Sequence, residues 1–266
     1  MIFSRATGAL TVLLLLLGVA NAAPVCTLVK DIGTGQTLEQ EGDCARRLSP
    51  ASTFKIPLSL MGYDAGFLTD KNLPLLPFHE GYIDTLPEWK QSISPTTWLQ
   101  YSAIWYSQQL TEWLGEARLK RYITTFSYGN KDLSGDPGKN NGLTQAWLSS
   151  SLKISPLEQV DFLRKVIRRQ LFISKNAYEM TSKISEVGMV SGWTINGKTG
   201  TGYLTKEDGS LDSDRQFGWF IGWARRGNQT LAFAQTVEDE QKEGTPAGLR
   251  AKTVLMARLT AILKTF

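Results

Sequence analysis

The chain reads as an α+β protein: one antiparallel sheet assembled from strands at both ends, flanked by helices, with a mostly helical segment inserted between them. Three observations predict this. Residues 26–44 alternate around Gly33-Thr34-Gly35 as a hairpin does, the middle of the chain carries apolar residues at three and four spacing, and strand-like runs return after about Val190. Strands at both ends with helices in the middle imply one antiparallel sheet built from the N-terminal hairpin and the C-terminal strands, with the helical segment inserted. The resulting division is a sheet part, 23–62 and 190–266, and a helical part, 63–189, in a single domain over 23–266.

The elements follow in order. Arg5, an apolar run from Ala9 to Val19 and the small residues Ala20-Asn21-Ala22 form a signal peptide over 1–22, too short to span a membrane. Export puts Cys26 and Cys44, the only cysteines, in an oxidising compartment, where they predict a disulfide near the open end of the hairpin. Ser49-Pro50-Ala51 leads into Phe54, Ile56, Leu58, Leu60 and Met61, a helix start buried on several sides, with Pro57 making its first turn irregular. Thr96 to Gly115 and Glu116 to Phe126 are helical by period, and Ser155-Pro156-Leu157-Glu158 is a capping box with proline at the first helical position. Trp193 to Ile195, Phe217 to Ala224 and Thr230 to Val237 are strands, the last two joined by a tight turn at Gly227-Asn228. An amphipathic helix, Leu249 to Leu263, closes the chain.

Composition removes several function classes. The 266 residues hold one histidine, His79, and two cysteines, too few for a Cys/His metal cluster, so no metal is expected. Lysines and arginines exceed acidic residues only slightly, 29 to 25, and form no basic stripe, which argues against nucleic acid. Signal removal leaves no membrane-spanning segment. Gly192-Trp193-Thr194-Ile195-Asn196-Gly197-Lys198-Thr199 fits the P-loop pattern, but Gly200-Thr201-Gly202-Tyr203 cannot begin the helix that motif requires.

Ser52-Thr53-Phe54-Lys55 carries the chemistry. On a helix the two ends of this tetrapeptide share one face, so the Lys55 amine can reach the Ser52 hydroxyl and take the part that histidine plays elsewhere. A Ser-x-x-Lys pair arises by chance about once in a chain this long, and Ser150-Ser151-Leu152-Lys153 is a second one. Context separates them. Ser52 opens a buried helix, where unpaired N–H groups and the positive end of the helix dipole suit a developing oxyanion, whereas Ser150 lies in a serine run.

Taken together, Ser52-Thr53-Phe54-Lys55, Ser102-Ala103-Ile104, Tyr128-Gly129-Asn130, Trp147-Leu148 and Lys198-Thr199-Gly200 resemble the class D serine β-lactamases, over essentially the whole mature chain. Gly218-Trp219-Phe220-Ile221-Gly222 and Arg250 extend the resemblance. It implies the serine β-lactamase and penicillin-binding transpeptidase fold, export to the bacterial periplasm, and hydrolysis of a small-molecule β-lactam through an acyl-enzyme on Ser52. By the same resemblance Lys55 is N-carboxylated by CO2 and serves as general base, with no other cofactor. Ser102 passes a proton toward the leaving nitrogen with help from Lys198, and the Trp147 indole donates to the carbamate. Lys198, Thr199 and Arg250 receive the substrate carboxylate, Lys252 being an alternative to Arg250. Gly200 is part of that strand motif, and the N–H groups of Ser52 and Thr201 form the oxyanion hole.

One departure stands out: Ile104 occupies the place where the family usually has valine, over the carbamate, so deacylation is the step expected to differ. Two other functions fit the same motifs, a β-lactam sensor that acylates without hydrolysis and a peptidoglycan DD-peptidase. The signal peptide leading directly into the hairpin favours the hydrolase. The resemblance is compatible with a monomer or a homodimer.

Overall fold

The computed structural model describes residues 24–266; the predicted signal peptide lies outside them. Its six strands form one antiparallel sheet in the order β2-β1-β6-β5-β4-β3. The strands are β1 (Pro24–Asp31), β2 (Thr37–Gly42), β3 (Glu186–Val190), β4 (Trp193–Thr205), β5 (Leu211–Arg226) and β6 (Gln229–Glu238). The first strand pairs with the last, Leu28 opposite Ala234, so the two ends of the chain close one sheet as the sequence predicts. Arg226 faces Gln229 across the predicted turn, where Gly227 takes φ 56°. Cys26 and Cys44 are bonded with Cα atoms 5.0 Å apart, Cys44 lying just beyond the end of β2.

Both faces of the sheet are covered, which explains the near-continuous apolar run from Phe217 to Ala224. Neighbours along a strand point to opposite faces. Val29, Phe220 and Phe233 pack under the closing helix α7 (Ala247–Leu263) with Leu255 and Leu259, while Leu28, Trp219 and Ile221 join the core shared with the helical part. Within that core lies α1 (Lys55–Ala65), buried from Lys55 through Tyr63 and stopped by Gly66 at φ 87°. A 3-10 turn, Ala51–Phe54, runs into it. The irregular first turn expected from Pro57 is this one; Pro57 itself is the third residue of α1, where an amide donor has no helical partner to lose. No helix among the described residues is long and apolar enough to cross a membrane.

The structure departs from the sequence reading at two places that matter. The predicted helix Thr96–Gly115 is two helices, α2 (Pro95–Tyr101) and α3 (Ile104–Phe126), broken at Ser102, which adopts φ 62°. Both helices bury apolar faces, so the period runs through the break and hides it. The predicted boundary at Gly115 survives as a kink inside α3, with φ 72°. The second departure is β3. All of it but Val190 lies within 63–189, and it is mostly exposed, so it lacks the alternation that marks a half-buried strand. Between α3 and β3 come α4 (Gly142–Gln145), α5 (Pro156–Ile167) with the predicted capping box, and α6 (Lys175–Ile184).

Candidate active site

The 3-10 turn holds Ser52 and presents its hydroxyl to Lys55, whose Nζ lies 3.4 Å from Ser52 Oγ. Lys55 is 1% exposed, and among the described residues this hydroxyl is the single polar partner of its amine. Burial holds that amine well below the usual lysine range, and the positive charge of Lys198 pushes it further down. The turn is pinned from behind. Thr53 Oγ1 donates to the Pro50 carbonyl at 2.6 Å and accepts from Gln159 Nε2 at 3.1 Å. Ala51, directly before the nucleophile, sits at φ 47°; an alanine in the left-handed region stores about 1–3 kcal/mol, a strain that clusters at functional sites.

β4 passes directly against this turn. A Cβ on Gly200 would come within 3.0 Å of the Pro50 carbonyl oxygen and 3.1 Å of Thr53 N, so glycine is what lets the strand approach. That contact fixes Lys198 and Thr201 beside Ser52 in the sheet register. β3 pairs with β4 only as far as Asn196, leaving the outer edge of β4 unpaired along Lys198 to Thr201. The Thr201 hydroxyl accepts the Gly248 N–H of α7 at 3.0 Å, anchoring the strand from its other face.

Lys198 is 6% exposed and donates to the Thr199 carbonyl at 3.0 Å. Burial, with help from Lys252, lowers its amine to about 7. The sign of the resulting pH dependence is fixed. Between pH about 7 and the ordinary lysine value of 10.5 the unfolded chain binds more protons at this lysine than the folded one. The cost of burying the ammonium is therefore complete below pH about 7 and fades as pH rises. Urea midpoints taken from roughly pH 6 to 10 should climb more steeply for the parent protein than for Lys198→Met, which should be the more stable of the two at the acid end.

Trp147 follows α4 and is buried, its ring stacked on Phe54 at 5.1 Å and 20°. Phe54 is the residue before Lys55, so the stack packs in the same buried core as the Ser-x-x-Lys turn. The Trp147 indole N–H finds no protein acceptor among the described residues, whereas the indole of Trp219 donates to the Ser49 carbonyl at 2.9 Å. Leu148 and Ile104 are half-buried on the same core. The Tyr128-Gly129-Asn130 triplet is a clasp for the chain after Trp147. Asn130 donates from Nδ2 to the Ser151 carbonyl at 2.8 Å and accepts the Lys153 N–H at 2.9 Å. Gly129, at φ 53°, has no room for a Cβ, which would meet the Lys153 carbonyl oxygen at 2.1 Å.

Ser102 and Ile104 flank the break between α2 and α3, and Ser102 is half-buried. Arg250 is placed differently from the others. Its guanidinium is paired with Asp239 and its Nε donates to the Thr245 carbonyl at 2.9 Å. A cavity of about 420 Å³ opens beside Lys198 and Thr199, with Leu99 of α2 and Lys252 of α7 in its wall; neither Ser52 nor Arg250 lines it. Sequence reasoning missed Ser49, Gln159 and Asp239, whose side chains bond the Trp147 carbonyl, the Thr53 hydroxyl and the Arg250 guanidinium, 98, 106 and 11 residues away. Nothing in a local pattern signals such pairs.

Set beside known proteins, residues 25–260 match the penicillin-binding protein transpeptidase domain family. The β-lactamase OXA-9 of Klebsiella pneumoniae is 40% identical over 241 residues, covering 90% of this chain and 88% of that protein. The crystal structure of the OXA-427 class D β-lactamase superposes with a TM-score of 0.86 at 53% identity, covering 91% of this chain and 99% of that one. The C-terminal domain of the Bacillus licheniformis BlaR penicillin receptor also superposes, with a TM-score of 0.78 at 26% identity over 90% of this chain and 89% of its own. A serine and a dry lysine joined at the head of a central helix, beside an open strand edge carrying Lys-Thr-Gly, thus sit in a chain that matches these enzymes nearly end to end: the chain belongs to the class D β-lactamases.

Proposed function

We propose that the protein hydrolyses β-lactams in two steps through an ester on Ser52, after export to the periplasm. Ser52 Oγ attacks the lactam carbonyl carbon, and the oxygen that gains charge lies between the N–H groups of Ser52 and Thr201. The C–N bond breaks as the ring nitrogen receives a proton through Ser102, with the Lys198 ammonium as the nearby donor. Lys198, Thr199 and Arg250 take the substrate carboxylate, with Lys252 in the wall of the neighbouring cavity as a further cation. Arginine suits this through its planar fork, although here one side of that fork is committed to Asp239.

The observation that carries the reading is the Lys55 amine, sealed from water and facing the Ser52 hydroxyl. Its surroundings fit a CO2-derived carbamate. Only a neutral amine reacts with CO2, and burial disfavours the ammonium; the indole N–H of Trp147 has no acceptor among the described residues and is free to donate to an added oxygen. When present, that group supplies an anionic general base beside Ser52. Phe54, Trp147 and Ile104 keep bulk water away, and Ser52 yields its proton on the side where Lys55 stands.

The test is turnover of a chromogenic cephalosporin by the protein freed of residues 1–22. Hydrolysis that rises with added bicarbonate and disappears in Ser52→Ala is expected. Stoichiometric acylation of Ser52 without turnover would replace the hydrolase by a sensor, the activity class of the BlaR receptor domain, and turnover that survives Ser52→Ala would remove the serine mechanism.

A further inference from the structure

Ser49, three residues before the nucleophile, is 4% exposed and fully bonded. Its Oγ donates to the Trp147 carbonyl at 2.7 Å and accepts the Ser149 N–H at 3.0 Å. One short side chain therefore fastens the backbone on both sides of Leu148 to the turn that carries Ser52. The Ser49 carbonyl, holding the Trp219 indole of β5, ties the same turn to the sheet. Ser149 adds a second anchor: its Oγ accepts the Tyr203 N–H of β4 at 3.0 Å. Its own backbone stands at φ 54°, a left-handed conformation that a serine holds only when its neighbours enforce it.

Trp147 is thus gripped twice, its backbone by Ser49 and its ring by Phe54. We propose that Ser49 is a positioning residue for Trp147: its hydroxyl locks the tryptophan over the Ser-x-x-Lys turn and so keeps water out of the Lys55 site. The consequence for Lys55 rests on the role given to that lysine above. A hydroxyl is needed because it both donates and accepts; alanine would strand a buried carbonyl and a half-buried N–H at once. Freed from Ser49, the Trp147 segment would loosen, water would reach the amine, and the ammonium would regain its advantage. Lys198 on β4 is the charged group acting on the Lys55 amine, and it stays in place in this change.

Protein labelled with 13C at lysine Cε reads the site directly, since that carbon reports both the protonation of the Lys55 amine and its reaction with bicarbonate. In CO2-free buffer Ser49→Ala should move the Lys55 titration about one pH unit toward the ordinary lysine value. Since one unit is tenfold in neutral amine, half-saturation with 13C-bicarbonate should then need about ten times more of it. Ser49→Thr, which keeps the hydroxyl, should restore both values. Ser49→Cys, of similar size but with weak hydrogen bonds, serves in place of alanine should that variant not fold. An unchanged titration in both Ser49→Ala and Ser49→Cys overturns the proposal, whatever happens to their melting temperatures. If the parent never shows a carbamate signal, the base assigned to Lys55 fails, while the CO2-free titration still decides the role of Ser49.

Discussion

Lys55→Ala is expected to turn the enzyme into a slow, self-trapping acceptor of penicillin: acylation of Ser52 falls, and the ester that does form persists. General bases contribute about 10²- to 10⁴-fold per step, and the mechanism proposed above gives both steps to one lysine position, so turnover should drop by roughly 10³-fold or more. The fold should survive. An alanine at 55 removes a buried amine whose desolvation opposes folding, which offsets the cavity left by the missing methylenes. The measurement is a fluorescent penicillin followed by intact mass: the parent should clear its adduct within the dead time, the variant should hold it. Added bicarbonate should accelerate the parent and leave the variant unmoved. Steady hydrolysis by Lys55→Ala, with no adduct accumulating, would take the base away from this residue. So would full rescue of Ser52 acylation and release by alkaline pH alone, since hydroxide would then be doing what the side chain is assigned.

The parts of the site that were legible in the sequence are those whose partners lie close along the chain. Ser52 and Lys55 meet across one helical turn, and Lys198-Thr199-Gly200 share one strand, so spacing alone sets their geometry. The sheet was legible because the strands on both sides of Gly227-Asn228 are apolar and the turn residues are decisive. What escaped has physical causes. The break at Ser102 is invisible because apolar spacing continues across it, and β3 is invisible because an exposed edge strand buries no face. The grip of Ser49 on Trp147 spans 98 residues and is made by a hydroxyl and a main-chain carbonyl. No periodicity encodes a bond to a main-chain atom that every residue possesses.

Asp239 is the residue whose loss should damage the fold most without touching the chemistry directly. Its side chain is 1% exposed and paired with Arg250, itself 17% exposed, so removing the carboxylate leaves a nearly buried guanidinium without its counter-charge. Breaking such a pair from one side costs about 3–5 kcal/mol. For a domain of this size that is a fall of roughly 10 °C in melting temperature. The pair also has a position to hold. Asp239 ends β6 by donating its N–H to the Gln216 carbonyl at 2.9 Å, and Gln216 Oε1 accepts the Ala247 N–H that opens α7 at 3.1 Å. One residue further, Gly248 bonds Thr201. The ion pair therefore seats the start of α7 against the strand that bears Lys198, Thr199 and Thr201. Asp239→Ala should lower the urea midpoint sharply, and Asp239→Asn less so, because the amide oxygen still accepts from arginine. The double variant Asp239→Ala/Arg250→Ala should be less destabilised than the sum of the two single ones, since no charge is stranded in it. Substrate affinity separates the two duties of Arg250. If it receives the substrate carboxylate, the double variant should show a higher KM than Asp239→Ala alone, a comparison in which loss of the arginine strands no buried carboxylate. An unchanged midpoint in Asp239→Ala would mean that α7 is seated by its apolar face alone.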